Sequence, residues 1–284
     1  MTDHTLWFTE VFGNEGTSFG LAIKQKLHDE HSPYQHLEIY ETETFGNLMA
    51  LDGCVMLTER DNFLYHEMMS HPALFCHPAP ERVVIIGGGD CGTLKEVLKH
   101  TDVKHAWQID IDELVTRMSE KYFPTLCESN SDKRATLMFD DGIQWIKDQA
   151  DNSLDIIIVD STDPVGPAKG LFSIDFYKDC CRALKPNGIL VQQTESPLLH
   201  TNSIIKQAHK EMRQSGFTQI KTLPFPQPVY PTGWWSCTMA SQQTNLNTFR
   251  ENDVRDRGFE TLYYNNGIHK GSLEMPEFMR KALL

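Results

Sequence analysis

A run of β-branched residues that ends in an aspartate constrains the fold of this chain more than any other stretch. The segment from Leu154 to Phe172 has the sequence LDIIIVDSTDPVGPAKGLF, and Ile156 to Val159 have the composition of a strand buried on both faces. Asp160 closes this run and Asp163 follows it, in a loop whose prolines and glycines disfavour regular structure. Ligands of open α/β sheets bind beyond the carboxyl ends of parallel strands. We therefore expect both carboxylates to face a ligand crevice rather than only to cap a turn.

From Arg82 onward the pattern becomes strand, turn and helix, repeated. Val83 to Ile86 predict a short buried strand, and a turn of Gly87, Gly88, Gly89 and Asp90 leads into a helix. The next strand ends at Asp110, where an acid can accept hydrogen bonds from ribose hydroxyls. The glycines do not form GxGxxG, which disfavours a pyrophosphate ligand such as NAD. A nucleoside without phosphates fits the acidic turn better.

Later strands bring further polar groups to the same predicted edge. The strand Ala135 to Phe139 precedes Asp141, whose side chain could meet an adenine edge. The segment ILVQQTE predicts a fifth strand that ends with Gln193 and Glu195. Tyr230 lies between two prolines in a loop, either positioned across the crevice or simply on the surface.

The amino-terminal part of the chain has a different pattern. Residues 1–60 contain the alternating segments HLEIYET, GNLMALDG and CVMLTERD, which predict a small antiparallel β domain. A helix with the sequence NFLYHEMMSHPALF follows, and prolines at 78 and 80 mark its end. We therefore divide the chain into a β domain over residues 1–60 and a catalytic domain over residues 61–284, with 61–80 as the connecting helix. Trp7 is as compatible with ligand contact as with packing.

Composition excludes several classes of function. The 284 residues are 40% hydrophobic with a net charge of -13, which disfavours nucleic acid as a partner. No stretch approaches the roughly 18 apolar residues of a membrane span, and a signal peptide pattern is lacking, so we expect a cytoplasmic protein. Seven scattered cysteines indicate reduced thiols. His66 and His71 are five apart rather than the four of a zinc-protease helix, so no metal site is predicted.

Together these motifs resemble the spermidine synthases, a family of polyamine aminopropyltransferases. The resemblance rests on GGGDCG, QIDID, DDG, VDSTDPVGPAKGLF, QQTE and VYPTGWWS, and extends to TERDNFLYHEM and YYNNGIHKGSLEMPEF. It implies a Rossmann-like, methyltransferase-type α/β domain with a small amino-terminal β domain, assembled as a homodimer or homotetramer. It also implies decarboxylated S-adenosylmethionine as aminopropyl donor and putrescine as acceptor, with spermidine and methylthioadenosine as products. The donor is a co-substrate, so no cofactor is expected.

The resemblance also implies roles for residues at matching positions. Asp160 is the expected catalytic base. The donor is expected to contact Gln35, Gly87, Gly88, Gly89, Asp90, Asp110 and Asp141. The acceptor is expected to contact Tyr65, His66, Asp163, Gln193 and Tyr230, with Trp7 and Glu195 as further contributors.

Three positions depart from the family pattern. Asp110 stands where the family usually has glutamate, Cys91 replaces a common glycine, and His66 stands where some members carry glutamine. None of these removes a catalytic group. The sequence leaves open other acceptors (cadaverine, agmatine or spermidine), an S-adenosylmethionine methyltransferase, and a catalytically silent polyamine-binding protein.

Overall fold

The computed structural model describes residues 6–13, 15–162 and 166–284 of the chain. Over these residues it contains two β-sheets. The first is antiparallel and its strands follow chain order: β1 Leu6–Phe12, β2 Thr17–His31, β3 His36–Thr42, β4 Asn47–Leu51 and β5 Cys54–Thr58. The sequence predicted β3 to β5 but not the two strands that precede them.

The second sheet is mixed and has the order β11-β12-β10-β9-β6-β7-β8. Its strands are β6 Arg82–Gly87, β7 His105–Asp110, β8 Ala135–Phe139, β9 Leu154–Asp160, β10 Leu184–Gln193, β11 Gln219–Pro226 and β12 Trp234–Ser241. Strands β6 to β10 are parallel, whereas β12 runs antiparallel to both of its neighbours. The chain leaves β6 in one direction toward β8 and returns to β9 on the other side. This reversal opens a crevice between β6 and β9, at the switch point where α/β sheets bind ligands.

Helices surround the second sheet and connect its strands. They are α1 Asn62–Cys76, α2 Gly92–Leu98, α3 Glu113–Tyr122, α4 Gly142–Lys147, α5 Ile174–Ala183, α6 Pro197–His200, α7 Lys206–Gln214, α8 Glu251–Arg255, α9 Asn266–Ser272 and α10 Glu277–Leu283. A π-helical turn, Thr201–Ile205, joins α6 to α7, and short 3₁₀ turns lie at Gly166–Phe172 and Pro231–Gly233. None of the helices in the described ranges is long and apolar enough to cross a membrane. The structure thus confirms an α/β fold with an amino-terminal antiparallel sheet.

The central strands pack on both faces, as their continuous apolar sequences predict. In β9, Ile156 and Ile158 belong to the core beneath α1 and α2, whereas Ile157 and Val159 face the core that contains α5. All four side chains are fully buried. Burying one such side chain contributes about 1.5–3 kcal/mol. The strand is therefore held firmly on both sides, and its last residue, Asp160, is fixed at the edge of the crevice.

Two helix predictions were wrong in their bounds. The helix predicted through Lys185 ends at Ala183, because the chain already joins β9 at Leu184, with an irregularity before Ile189. The helix predicted for residues 203–215 starts within the π-helical turn Thr201–Ile205 and continues as α7, Lys206–Gln214.

Candidate active site

The glycine turn after β6 lets the backbone of two strands meet at the crevice. Gly87 lies opposite Asp160 in the parallel register, and the N–H of Gly88 donates to the carbonyl oxygen of Asp160 at 2.8 Å. A Cβ on Gly87 would clash with that carbonyl, and the φ of Gly87 is +82°, in the left-handed region. Gly87 is therefore needed for strand contact, and it fixes the Asp160 backbone beside the turn.

The Asp160 carboxylate is held by two hydroxyl groups. Tyr65, on α1, donates to Oδ1 at 2.7 Å, and Thr93, on α2, donates to Oδ2 at 2.6 Å. Burial, and then the negative charge of Asp90, raises the pKa of Asp160 above its ordinary value. A carboxylate with a raised pKa is a stronger base, and the two hydroxyls fix its direction. The sequence did not single out Thr93.

The next acid, Asp90, forms an ion pair with His66. Its Oδ1 accepts the N–H of Gly92 at 2.7 Å, and its Oδ2 lies 3.2 Å from Nε2 of His66. Burial alone lowers the pKa of His66, but the charge of Asp90 outweighs it and raises that pKa to about 9. His66 is therefore a cation at neutral pH. It was expected beside the acceptor, but the structure puts it against a residue expected to bind the donor.

Asp110 lies across the glycine turn from Asp160. Its Oδ1 accepts the N–H of Asp112 at 2.8 Å, and a Cβ on Gly89 would lie 2.7 Å from its Oδ2. Burial raises the pKa of Asp110 to about 6, although the N–H groups of Asp112 and Gly89 oppose this rise. At neutral pH the side chain is an ionised acceptor, and it lies at the end of β7, where the sequence predicted it.

The first sheet reaches this region through Gln35. Its Nε2 donates to Oδ2 of Asp112 at 2.7 Å, and Ser32 donates to the same oxygen at 2.7 Å. Asp112 also caps α3 by accepting the N–H of Leu114 at 3.1 Å. Asp112 therefore links the loop after β2 to Asp110, because its side chain accepts from Ser32 and Gln35 and its N–H donates to Asp110.

Asp141 stands at the same edge, one strand further out. It caps α4, and its Oδ1 accepts the N–H of Ile143 at 2.8 Å. The neighbouring N–H of Asp140 donates to the carbonyl of Asp110 at 3.1 Å. Asp141 is exposed, with its second oxygen outside the helix cap.

A narrow cavity opens on the other side of Tyr65. It is lined by residues of both sheets, including Glu10, Met56, Tyr65, Gln193, Tyr230 and Trp235. The ring of Tyr230 meets that of Tyr65 edge-on at 5.9 Å and lies 4.8 Å from Trp235. This cavity (the acceptor cavity below) therefore has aromatic walls and shares Tyr65 with the Asp160 carboxylate.

Three polar side chains that line this cavity have hydrogen-bond partners that fix their positions. Gln193 donates from Nε2 to the carbonyl of Thr162 at 3.3 Å, and the Tyr230 hydroxyl donates to the carbonyl of Met56. Glu10 is buried in β1 and accepts the N–H of Val55 at 2.9 Å. Glu10 was not predicted from the sequence, although the alternation of Phe8 and Glu10 along β1 places both on one face.

Two other residues predicted to contact the acceptor, Trp7 and Glu195, lie in the described part of the chain. Trp7 is 62% exposed on β1, on the face opposite Glu10, and does not line the acceptor cavity. Glu195 is buried directly after β10, where its N–H donates to Oε1 of Gln193 at 3.2 Å. Asp163 lies outside the described residues.

Comparison with known proteins identifies the family. Residues 62–251 match the family model for the spermine/spermidine synthase domain, and residues 6–59 match that for the spermidine synthase tetramerisation domain. The chain belongs to the spermine/spermidine synthase family. It is an enzyme of the polyamine aminopropyltransferase type, as its sequence relatives within this family indicate.

Two such relatives are named polyamine aminopropyltransferase. The one from Thioalkalivibrio sulfidiphilus is 60% identical over 277 residues, which cover 98% of this chain and 97% of the relative. The one from Methylococcus capsulatus is 56% identical, covering 100% of this chain and 99% of the relative.

Solved structures of spermidine synthases share the fold. One, a complex with the transition state analogue AdoDATO, is 35% identical with a TM-score of 0.94, over 99% of this chain and 95% of that one. The Thermotoga maritima enzyme is 34% identical with a TM-score of 0.93, over 99% and 94%.

Proposed function

We propose that this enzyme transfers the aminopropyl group of decarboxylated S-adenosylmethionine to putrescine, with Asp160 as the base. Spermidine and methylthioadenosine are then the products. The observation that carries this proposal is the position of the Asp160 carboxylate, which Tyr65 and Thr93 hold between the acidic donor turn and the acceptor cavity. A solved relative binds a transition state analogue, AdoDATO, on the same fold.

The acids around the glycine turn suit a cationic nucleoside. Asp110 accepts hydrogen bonds from the ribose hydroxyls, and Asp141 lies on the adenine side. Asp90 and Gln35 bind the propyl arm and its ammonium group, and the backbone at Gly88 and Gly89 approaches the nucleoside closely. Ordinary S-adenosylmethionine carries a carboxylate that would face Asp90 and Asp160. Like charges in a dry site cost several kcal/mol, which favours the decarboxylated donor.

The main barrier to the reaction is that the attacking amine must lose its proton. The amine nitrogen forms a bond to the propyl carbon next to the sulfonium, and the electron pair of the breaking C–S bond returns to sulfur. The leaving group is a neutral thioether, so the step needs neither an acid nor a metal or cofactor. An amine with a pKa near that of lysine is neutral in only about one molecule in a thousand at pH 7, a deficit of roughly 4 kcal/mol. Asp160 accepts the proton as the amine attacks.

An ionised carboxylate also stabilises an ammonium ion, which opposes attack. Two cations counteract this effect at the reacting end. One is the donor sulfonium and the other is His66, whose pairing with Asp90 raises its pKa to about 9. Together they disfavour a third positive charge beside Asp160. Exclusion of water strengthens each of these interactions.

The rest of the diamine extends into the acceptor cavity. Tyr65 and Tyr230 contact its methylene groups, and Gln193 binds a nitrogen. Asp163 holds the far amine as a cation, with Glu195 as a further contributor. We also infer a homodimer or homotetramer, since residues 6–59 match a family model described as a tetramerisation domain. We place the enzyme in the cytoplasm, as expected from the sequence pattern. Light scattering of the purified chain tests the assembly.

Mass spectrometry of reaction products tests the function directly. The enzyme is incubated with decarboxylated S-adenosylmethionine and equal amounts of putrescine, cadaverine, agmatine and spermidine. We expect spermidine as the main product, formed with one methylthioadenosine per turnover. A product from one of the other amines would reassign the acceptor. Methylated amine formed from ordinary S-adenosylmethionine, without aminopropyl transfer, would refute the reaction class.

A further inference from the structure

A groove separate from the active site lies between α7 and the end of α10. Its volume is about 320 Å³, and it shares no lining residue with the acceptor cavity. We call it the α7 groove. Its described lining includes Lys206, Lys210 and Arg213 but no aspartate or glutamate. The chain has a net charge of -13, so a groove lined by cations and by no acid differs from the average charge of the molecule.

The three cations occupy one face of a single helix. Positions 206, 210 and 213 are four and three residues apart, so their side chains project in nearly the same direction. The Arg213 guanidinium donates to the carbonyl of Leu283 at 3.4 Å, which holds it against the end of α10. Seven residues of α-helix span roughly 10 Å. The groove therefore presents a row of positive charge rather than a single point.

These lysines lack the carboxylate partners found elsewhere on the surface. Lys24, Lys95 and Lys178 each lie within 3.2 Å of an acid. Lys206 and Lys210 form no ion pair with any residue in the part of the chain that the structure describes. The nearby Glu211 accepts a hydrogen bond from Gln207 and does not line the groove. The positive charge of the groove is therefore left for an external anion.

A buried histidine lines the groove. His209 is 1% exposed, and its Nε2 lies 2.7 Å from the Thr222 hydroxyl, but its Nδ1 has no hydrogen-bond partner. A buried polar atom without a partner is destabilising, so this nitrogen would gain from a ligand that binds in the groove. The π-helical turn Thr201–Ile205 leads directly into this face, and such turns are frequent at functional sites.

We propose that the α7 groove binds a small anion with two or more phosphoryl groups. A single phosphate would reach one or two of the cations, whereas pyrophosphate or triphosphate extends along the row. Arg213 offers a planar pair of donors to one phosphoryl group, and the two lysines neutralise the others. The His209 ring contributes a neutral hydrogen-bonding atom at the base, since burial and the charge of Arg213 lower its pKa to about 4.

Isothermal titration calorimetry with the full chain tests this proposal. Inorganic pyrophosphate and triphosphate are titrated at low ionic strength into the wild type and a Lys206→Ala/Lys210→Ala variant. The matched control is Lys104→Ala/Lys133→Ala, which removes the same charge from exposed lysines outside the groove. We expect the groove variant to bind about tenfold more weakly or worse, as the loss of charge-assisted hydrogen bonds implies. The control is expected to stay within about twofold of the wild type.

Nuclear magnetic resonance gives a second readout at the base of the groove. Addition of pyrophosphate is expected to shift the ring nitrogen signals of His209 while leaving those of the Asp90-paired His66 unchanged. If both double variants bound pyrophosphate equally weakly, the loss would reflect only the overall charge of the protein, and the proposed site would be refuted. Absence of binding to either probe, or binding only of an RNA oligonucleotide, would overturn it as well. Each readout is independent of aminopropyl transfer, so the function and the groove are tested separately.

Discussion

The buried carboxylate of Asp110 allows a prediction whose size follows from its position. Burial raises its pKa from 3.8 to about 6. At about 1.36 kcal/mol per pKa unit, this rise corresponds to at most about 3 kcal/mol. Because the folded pKa lies above the unfolded one, the stabilisation is fully present below about pH 4 and is lost as the pH rises through 6. Ionised Asp110 therefore destabilises the ligand-free fold at neutral pH.

The substitution Asp110→Asn removes this dependence on pH. Asparagine is neutral, has nearly the same shape, and keeps an oxygen that can accept the N–H of Asp112. We expect the stability of the variant relative to the wild type to increase by about 2 kcal/mol between pH 4.5 and pH 7.5. Urea unfolding of the ligand-free protein, followed by circular dichroism at fixed protein concentration, measures this difference. The control is Asp175→Asn, because Asp175 is an exposed acid whose side chain is 86% accessible.

Although Asp110→Asn is expected to stabilise the ligand-free protein at neutral pH, it is expected to weaken binding of the donor. The amide keeps one acceptor oxygen for the N–H of Asp112, but the NH2 group that replaces the second oxygen cannot accept from a ribose hydroxyl. Hydrogen bonds to a charged group contribute about 1.5–3 kcal/mol. The variant should therefore bind methylthioadenosine about tenfold more weakly or worse at pH 7.5. A stability difference that is the same at both pH values would refute the role of burial. Unchanged affinity for the nucleoside would remove Asp110 from the ribose site.

Three further substitutions test the site and its support. Asp160→Asn is expected to lower turnover by about 10²- to 10⁴-fold with donor binding within a few fold; loss of donor binding instead would make Asp160 a ligand. Glu10→Gln should raise the Michaelis constant for putrescine while kcat changes little, and an unchanged constant would exclude contact with the diamine. Glu67 accepts the backbone N–H groups of residues 262–264 at 2.7–2.9 Å. Glu67→Ala should therefore cost about 3 kcal/mol in urea unfolding, and a loss below about 1 kcal/mol would contradict this support.

Local pattern was enough to predict the strand ends that carry the acids. The run before Asp160 is apolar and β-branched, the strand before Asp110 contains Ala106, Trp107 and Ile109, and the glycine turn after β6 interrupts regular structure, so each signal lies within a few residues. The two hydroxyl groups that donate hydrogen bonds to the Asp160 carboxylate could not be predicted in this way. Tyr65 and Thr93 are 95 and 67 residues away in sequence, and only the packing of α1 and α2 brings them together.

Two features of the structure could not be derived from local sequence pattern, for clear physical reasons. Tyr65 and His66 are adjacent on α1, so their side chains point about 100° apart, and only Tyr65 lines the acceptor cavity while His66 meets Asp90. Strand β2 was not predicted from the sequence because register shifts near residues 24 and 27 disturb its alternation of polar and apolar residues. The alternation of Phe19, Leu21 and Ile23 therefore does not continue through the second half of the strand.

The first sheet is fastened to the second at several points around the site. Val229 packs in the core of the first sheet, the neighbouring Tyr230 donates to Met56, and Gln35 donates to Asp112. A chimera that joins the first sheet of one relative to the catalytic half of another must therefore match these contacts across the junction. Amine selectivity in such hybrids is expected to follow the pairing of the two halves, since neither half alone encloses the cavity.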